Sequence, residues 1–436
     1  MRRRLKHRPN LLKIIDNIGW LFFDKVLRMG VGLLVGVWVA RHLGPEQFGL
    51  YSFATAFVGM FSAVAGLGLQ SIVVRDLVQH PENKAETLGT AATLQLIGGL
   101  LAYGLLMSTI FWLRPEDHLA QVLVAILGSI LLFKASEIAA SWFESQVQSK
   151  YTVWVQNGCF LVFASIKIAL ILQGAPLVDF AWAAVGEALL VALLLLMTAG
   201  LKGQKFNQLD ISVARAKTLL QDSWPLLMSG LAIMIYMKID QIMLGQMVGD
   251  EAVGIYSAAV RISEVWYFIP TAIVASTFPS ILEAKKHSER QYYQRLQQLY
   301  DLMVLISIGI ALPMTFFSTS LVTGLFGNEY GAGGTVLAIH IWASVFVSLG
   351  VASSNWFVAE NRQMLSFQRT ALGAAVNIAL NFLLIPTFEA VGAAFATVIA
   401  QITAAWLFDA MQPITRKMFF MKMNSMNPIR LKMFTR

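Results

Sequence analysis

Along most of this chain the polar positions are too sparse to draw a helical stripe or a strand alternation. Apolar residues fill every face for twenty positions and more before charges, Gly or Pro interrupt them. Roughly 20 such residues cross a hydrocarbon layer about 30 Å thick. The interruptions mark out twelve runs, at 17–40, 48–73, 88–112, 119–143, 151–172, 177–200, 222–246, 253–280, 299–319, 334–358, 367–386 and 390–412. Each is expected to be a helix, because in lipid every backbone donor and acceptor must be satisfied within its own segment. Pro270 and Pro279 in the eighth run and Pro313 in the ninth each remove a backbone donor, so kinks are expected there.

Composition strengthens the membrane reading. Hydrophobic residues make up 57% of the 436 and charged ones only 13%, against about a quarter charged in soluble domains. The chain is therefore read as an all-α polytopic membrane protein. Its opening MRRRLKHRP resembles the basic region of a signal peptide, yet no small-residue cleavage pattern interrupts the apolar run behind it, so that run is expected to be retained as the first span. The single cysteine, Cys159, rules out an internal disulfide or a thiolate cluster and is expected in the core.

Charge sets the direction. With both termini on one side, Arg41 and Arg114 are the cations counted in odd-numbered loops, while the termini and even-numbered loops are rich in Lys and Arg. The positive-inside rule places both termini in the cytoplasm and the chain in a bacterial inner membrane. Two basic connectors, around Lys202 to Lys217 and Lys285 to Arg295, act as topology determinants at the lipid headgroups. Membrane lipids are the expected surroundings and nucleic acid is not an expected partner.

The chain also repeats itself. GPEQFGLYS at 44–52 returns as GDEAVGIYS at 249–257, an offset of 205. SWF at 141–143 matches NWF at 355–357, and IKIAL at 166–170 matches VNIAL at 376–380, with offsets of 214 and 210. Each copy holds six helices, an even number, so both enter the membrane in the same direction. Two six-helix lobes related by a pseudo-two-fold axis along the membrane normal follow, with a ligand path expected at their interface. The expected divisions are a first lobe 1–200, a connector 201–221 with an amphipathic segment, a second lobe 222–412 and a basic cytoplasmic tail 413–436.

Ionisable groups inside the spans are the candidate chemistry. The cations are Lys25, Arg28, Lys134, Lys167, Lys238 and Arg261, and the anions Asp24, Glu137, Glu187, Asp240 and Glu264. Each costs about 2.5–3.5 kcal/mol at mid-membrane on insertion scales, so each should meet a partner or a wet cavity. Asp24 to Arg28 at i, i+4, and Lys134 to Glu137 and Arg261 to Glu264 at i, i+3, can pair on one helical face. A ligand-facing role is the other reading, foremost for Lys25, Arg28 and Arg261. Lys167, near a helix end, can snorkel to the headgroups. GLGLQS at 66–71 lacks the third glycine and the strand setting of a dinucleotide fingerprint, and no GxxxxGK[ST] or HExxH is present. No cofactor, metal or enzymatic activity is expected, and the energy for transport must come from a gradient, the membrane potential or a partner.

The stretches DKVLRMGVGLLVGVWVARHLGPEQFGLYSFA, LGLQSIVVRDL and DSWPLLMSGLAIMIYMKIDQIMLG resemble the Wzx-type polysaccharide (O-antigen) flippases. These are members of the multidrug/oligosaccharidyl-lipid/polysaccharide exporter superfamily, to which the drug-exporting MATE transporters also belong. The resemblance implies two lobes forming a V and a cargo of oligosaccharide on undecaprenyl pyrophosphate. It implies transfer to the periplasmic leaflet by alternating access, with a polysaccharide polymerase and a chain-length regulator as partners. It also implies cations on the first and eighth helices around a central cavity. On that basis Lys25, Arg28, Arg261, Lys134 and Lys238 are expected to hold the diphosphate, Arg as a bidentate fork and Lys as a point charge. Asp24, Glu137, Asp240 and Glu264 are the expected ion-coupling groups, for H+ or Na+. A cation-coupled drug or metabolite exporter of the same superfamily is the alternative, and a membrane glycan polymerase or ligase a further one.

Overall fold

The computed structural model describes residues 9–204, 208–360 and 362–427. The basic opening 1–8, residues 205–207 of the connector and tail residues 428–436 lie outside the described residues. The order is α1 (Pro9–Gly66), α2 (Leu69–Gln79), α3 (Lys84–Leu113), α4 (His118–Gly128), α5 (Glu137–Ser145), α6 (Lys150–Leu172) and α7 (Leu177–Leu201). Then come α8 (Val213–Met247), α9 (Asp250–Glu264), α10 (Phe268–His287), α11 (Glu289–Phe326), α12 (Gly333–His340), α13 (Ala343–Ala359), α14 (Gln363–Ile402), α15 (Phe408–Met411) and α16 (Arg416–Ser425). No strand occurs among the described residues.

Among the described residues ten stretches are long and apolar enough to cross a bilayer. That is fewer than the twelve runs of the sequence, because Phe22–Gln79 and Gln363–Met411 each take in two runs. A straight helix of 58 residues, the length of α1, would reach about 87 Å. Backbone breaks divide these long helices. Gly44 has φ 72° and ψ 171° inside α1, and Glu389 has φ 49° inside α14, at the positions where the apolar pattern pauses. Of the three prolines, Pro270 lies just past a 3-10 turn, Val265–Tyr267, that separates α9 from α10. Pro279 and Pro313 sit within α10 and α11, which run on without a break.

The chain divides into two compact units. The first comprises the described residues up to Leu43 together with Phe53–Met234, and the second Gly44–Ser52 together with the chain from Ile235 onward. The division falls inside α8 rather than at the expected joint before residue 222. The start of α8 packs tightly on the first unit: a side chain at Gly68 would strike the backbone of Ser223 and Leu227, and Arg75 bridges Asp76 and Asp222. The connector joins it there, with Arg215 on Asp76 at 3.1 Å and on the Thr87 hydroxyl at 2.9 Å.

Each unit has its own core, and the repeated aromatics serve both alike. In the first unit Trp142 and Phe143 pack with Leu69, Val73, Leu88 and Leu195. In the second Trp356 and Phe357 pack with Tyr300, Val304, Leu349 and Met418. Their ring pairs lie 4.9 and 5.4 Å apart. Large side chains such as Leu101, Phe316 and Leu383 remain exposed, as a lipid-facing surface requires.

The nonapeptide repeat forms a crossing within the second unit. Gly44 and Gly249, at φ 72° and 132°, both lie where an L side chain is strained, and each launches a helix, through Pro45 and Asp250. One turn on, Gly49 lies against the Asp250 carbonyl and Gly254 against the Pro45 carbonyl, so closely that a Cβ on either would overlap the facing oxygen. Equivalent turns of the two repeats thus touch backbone to backbone.

The last described helix, α16, is part of the second unit's core. Met418 and Met421 of α16 are buried in it, and Lys422 is fully buried, its Nζ donating to Asp409 Oδ2 and to the Ala405 carbonyl, both at 2.7 Å. Ala405 belongs to a π turn, Thr403–Leu407. Burial lowers the Lys422 ammonium to about 8, although Asp409 pulls it back up.

Candidate functional site

The predicted charges fall into three groups. In the first unit the Asp24–Arg28 pair forms as its spacing allows, with Nε on Oδ1 at 2.8 Å and both groups partly buried. The Arg28 guanidinium also lies 5.4 Å from the centre of the Phe160 ring on α6, so it is held on two sides. Lys25 on the same helix is exposed and forms no ion pair among the described residues.

The second group is Lys134 and Glu137, which satisfy each other at 2.7 Å where the 3-10 stretch Ser129–Ser136 passes into α5. Their charges are already matched. Lys167 is likewise paired, with Glu187 across α6 and α7 at 3.1 Å, and so does not need to snorkel.

The third group lies in the second unit, where Lys238 and Asp240 on α8 meet Arg261 and Glu264 on α9. Glu264 is within electrostatic reach of Lys238, Arg261 and Asp240. The i, i+3 spacing does not make Arg261 and Glu264 an ion pair, and neither Lys238 nor Arg261 has one among the described residues. Arg261 instead faces the Phe48 ring at 5.5 Å.

Asp240 is the best-built position. It is only 4% exposed, and four uncharged polar groups surround it. Tyr256 Oη donates to Oδ2 at 2.7 Å and Thr397 Oγ1 to the same oxygen at 2.5 Å, while Asn381 Nδ2 donates to Oδ1 at 2.5 Å. Asn381 Nδ2 also meets Asn377 Oδ1 at 3.1 Å. Asn377 and Asn381 are fully buried, yet Asn381 Oδ1 and Asn377 Nδ2 have no hydrogen-bond partner. Turning the Asn381 amide over would aim its oxygen at Asp240. The carboxylate, two amide oxygens and a hydroxyl are the kind of oxygen donors that hard cations take.

Sequence reasoning flagged Asp240 but none of its neighbours. Asn377, Asn381 and Thr397 are uncharged and lie far along the chain, so a reading centred on ionisable groups gives them no weight. Arg369 was also missed. It stands three residues inside the predicted span 367–386 and is 7% exposed. A polar groove of about 940 Å³ between α11 and α16, lined by Glu289, Arg290, Tyr293, Gln297, Asp301 and Lys417, holds none of the predicted residues.

Comparison with known proteins agrees with the all-helical fold. The family model described as polysaccharide biosynthesis protein matches residues 14–285, more than half the chain, and the MatE model matches 225–383. The chain is 22% identical over 394 residues to the "Probable low-salt glycan biosynthesis flippase Agl15" of Haloferax volcanii, covering 87% of this chain and 79% of that one. It is 19% identical over 397 residues to the capsular polysaccharide biosynthesis protein CapF of Staphylococcus aureus, covering 90% and 97%. Among solved structures, an inward-facing multidrug resistance MATE family transporter of the MOP superfamily superposes with a TM-score of 0.73 at 16% identity, covering 92% of this chain and 96% of that one. The lipid II flippase MurJ in its inward closed conformation gives 0.72 at 17%, covering 96% and 92%.

Proposed function

We propose, from the premise that this chain belongs to the polysaccharide biosynthesis protein family of the MOP superfamily, that it moves oligosaccharide units carried on undecaprenyl pyrophosphate. The chain is a multi-pass membrane flippase for lipid-linked glycan, a transporter and not an enzyme. In the proposed cycle the cargo enters from the cytoplasmic leaflet of the inner membrane and leaves in the periplasmic one. The two six-helix lobes alternate access, and both termini stay in the cytoplasm.

One observation supports this most. Lys134 and Lys167 carry their own anions, whereas Lys25, Lys238 and Arg261 sit in membrane segments with no ion pair among the described residues. Charge buried in lipid without a partner costs several kcal/mol or far more. A diphosphate removes that cost when it binds. Lys25, Arg28, Lys238 and Arg261 are therefore proposed as phosphate contacts. Arg28 is kept in place by Asp24 and Phe160, and its unshared nitrogens serve as donors. Lys134 is left with Glu137. An interior-negative potential favours outward movement of the head by about 2.3 kcal/mol per charge per 100 mV.

A charged hydrogen bond contributes about 1.5–3 kcal/mol. Arg28→Ala and Arg261→Ala should thus each lower surface polysaccharide output by about 10- to 100-fold in a complemented deletion strain, and Arg28→Lys should retain part of it. Wild-type output at equal protein level would remove the altered residue from the site.

Asp240, Asn377, Asn381 and Thr397 are assigned to Na+, whose binding resets the carrier. Asp240→Asn should abolish Na+-dependence of transport while leaving cargo binding in place. Transport that depends on Na+ equally in both proteins would discard this role.

A further inference from the structure

The repeat that places Asn377 beside Asp240 in the second unit places Lys167 at the corresponding position of the first. In IKIAL at 166–170 and VNIAL at 376–380 the second residue is Lys167 in one and Asn377 in the other. Twenty residues further on stand Glu187 and Thr397, each on the helical segment that packs back against its predecessor. The offset of the nonapeptide repeat puts Val35, an apolar residue 7% exposed, at the place of Asp240. The first unit has therefore exchanged the α8 carboxylate for one on α7, Glu187. Against it stands an ammonium, Lys167 Nζ, at 3.1 Å, with the two side chains 19% and 20% exposed.

A tethered ammonium and a bound monovalent cation do the same electrostatic work for a carboxylate in a low-dielectric site. The ammonium does it permanently. We propose that Lys167 is a built-in cation standing where the second unit accepts a mobile one, so that a single coupling ion binds per chain, in the second unit alone. This rests on the assignment of Asp240 to Na+. It also gives Lys167 and Glu187 a role beyond packing: they fix the ion stoichiometry by filling one of two pseudo-equivalent sites.

The test is binding of 22Na+ to the purified full chain in detergent. The wild type should bind one Na+, lost in Asp240→Asn. Lys167→Asn, which installs the residue of the other repeat and frees Glu187, should raise the count to two. The combined Asp240→Asn/Lys167→Asn chain should bind one, lost again when Glu187→Gln is added. Two Na+ in the wild type overturns the proposal, and that measurement needs no variant to fold. No gain in Lys167→Asn protein that melts as the wild type does overturns it equally. Loss of the Asp240 assignment is seen separately, as unchanged binding in Asp240→Asn.

Discussion

Gly49→Ala and Gly254→Ala are each expected to lower the melting temperature of the detergent-solubilised chain sharply, whereas Gly59→Ala should not. The two sensitive glycines face each other across the crossing of the repeats, and an added methyl at either would overlap a main-chain carbonyl oxygen, of Asp250 or of Pro45. Overpacking costs roughly 1–3 kcal/mol where side chains can give way. Here the obstacle is backbone at the first turn of a helix, so the top of that range or more is expected. Gly59 has no atom within 4 Å of the added position, and there alanine gains roughly 0.5–1 kcal/mol of helix preference. Equal melting of Gly49→Ala and Gly59→Ala would contradict the close approach.

Lys422→Met is expected to release the C-terminal helix. It leaves the Asp409 carboxylate fully buried with no cation bonded to it, and breaking one side of a buried pair costs about 3–5 kcal/mol. Adding Asp409→Asn should recover most of the loss, because replacing both members of such a pair is close to neutral. Limited proteolysis reads the outcome: cleavage before α16 should accelerate in Lys422→Met and slow again in the double variant. Additive damage would mean that the two residues do not act as a pair.

The sequence made much of this anatomy legible. The nonapeptide repeat was legible, though not that its first copy joins the second unit, and spacing alone found Asp24–Arg28 and Lys134–Glu137. Spacing failed for Arg261–Glu264, since i, i+3 permits a contact without bringing it about. Lys167 met a partner on another helix, which no local pattern can show. The Asp240 surroundings stayed hidden because Asn, Thr and Tyr carry no charge and come from α9 and α14. Asp409 and Lys422 were hidden for another reason: one stands near the end of a predicted span and the other within a basic tail, where charge is expected and draws no notice.

Flux through reconstituted vesicles tests the flippase reading most directly. Purified chain in proteoliposomes should move a fluorescent oligosaccharide on undecaprenyl pyrophosphate between leaflets, read by quenching from outside. The Arg28→Ala/Arg261→Ala chain, reconstituted at equal density, should be slower by at least about 10-fold, the loss of one charged hydrogen bond. No movement by the wild-type chain, or the same rate from both, would contradict the assignment of those cations to a phosphate-bearing lipid.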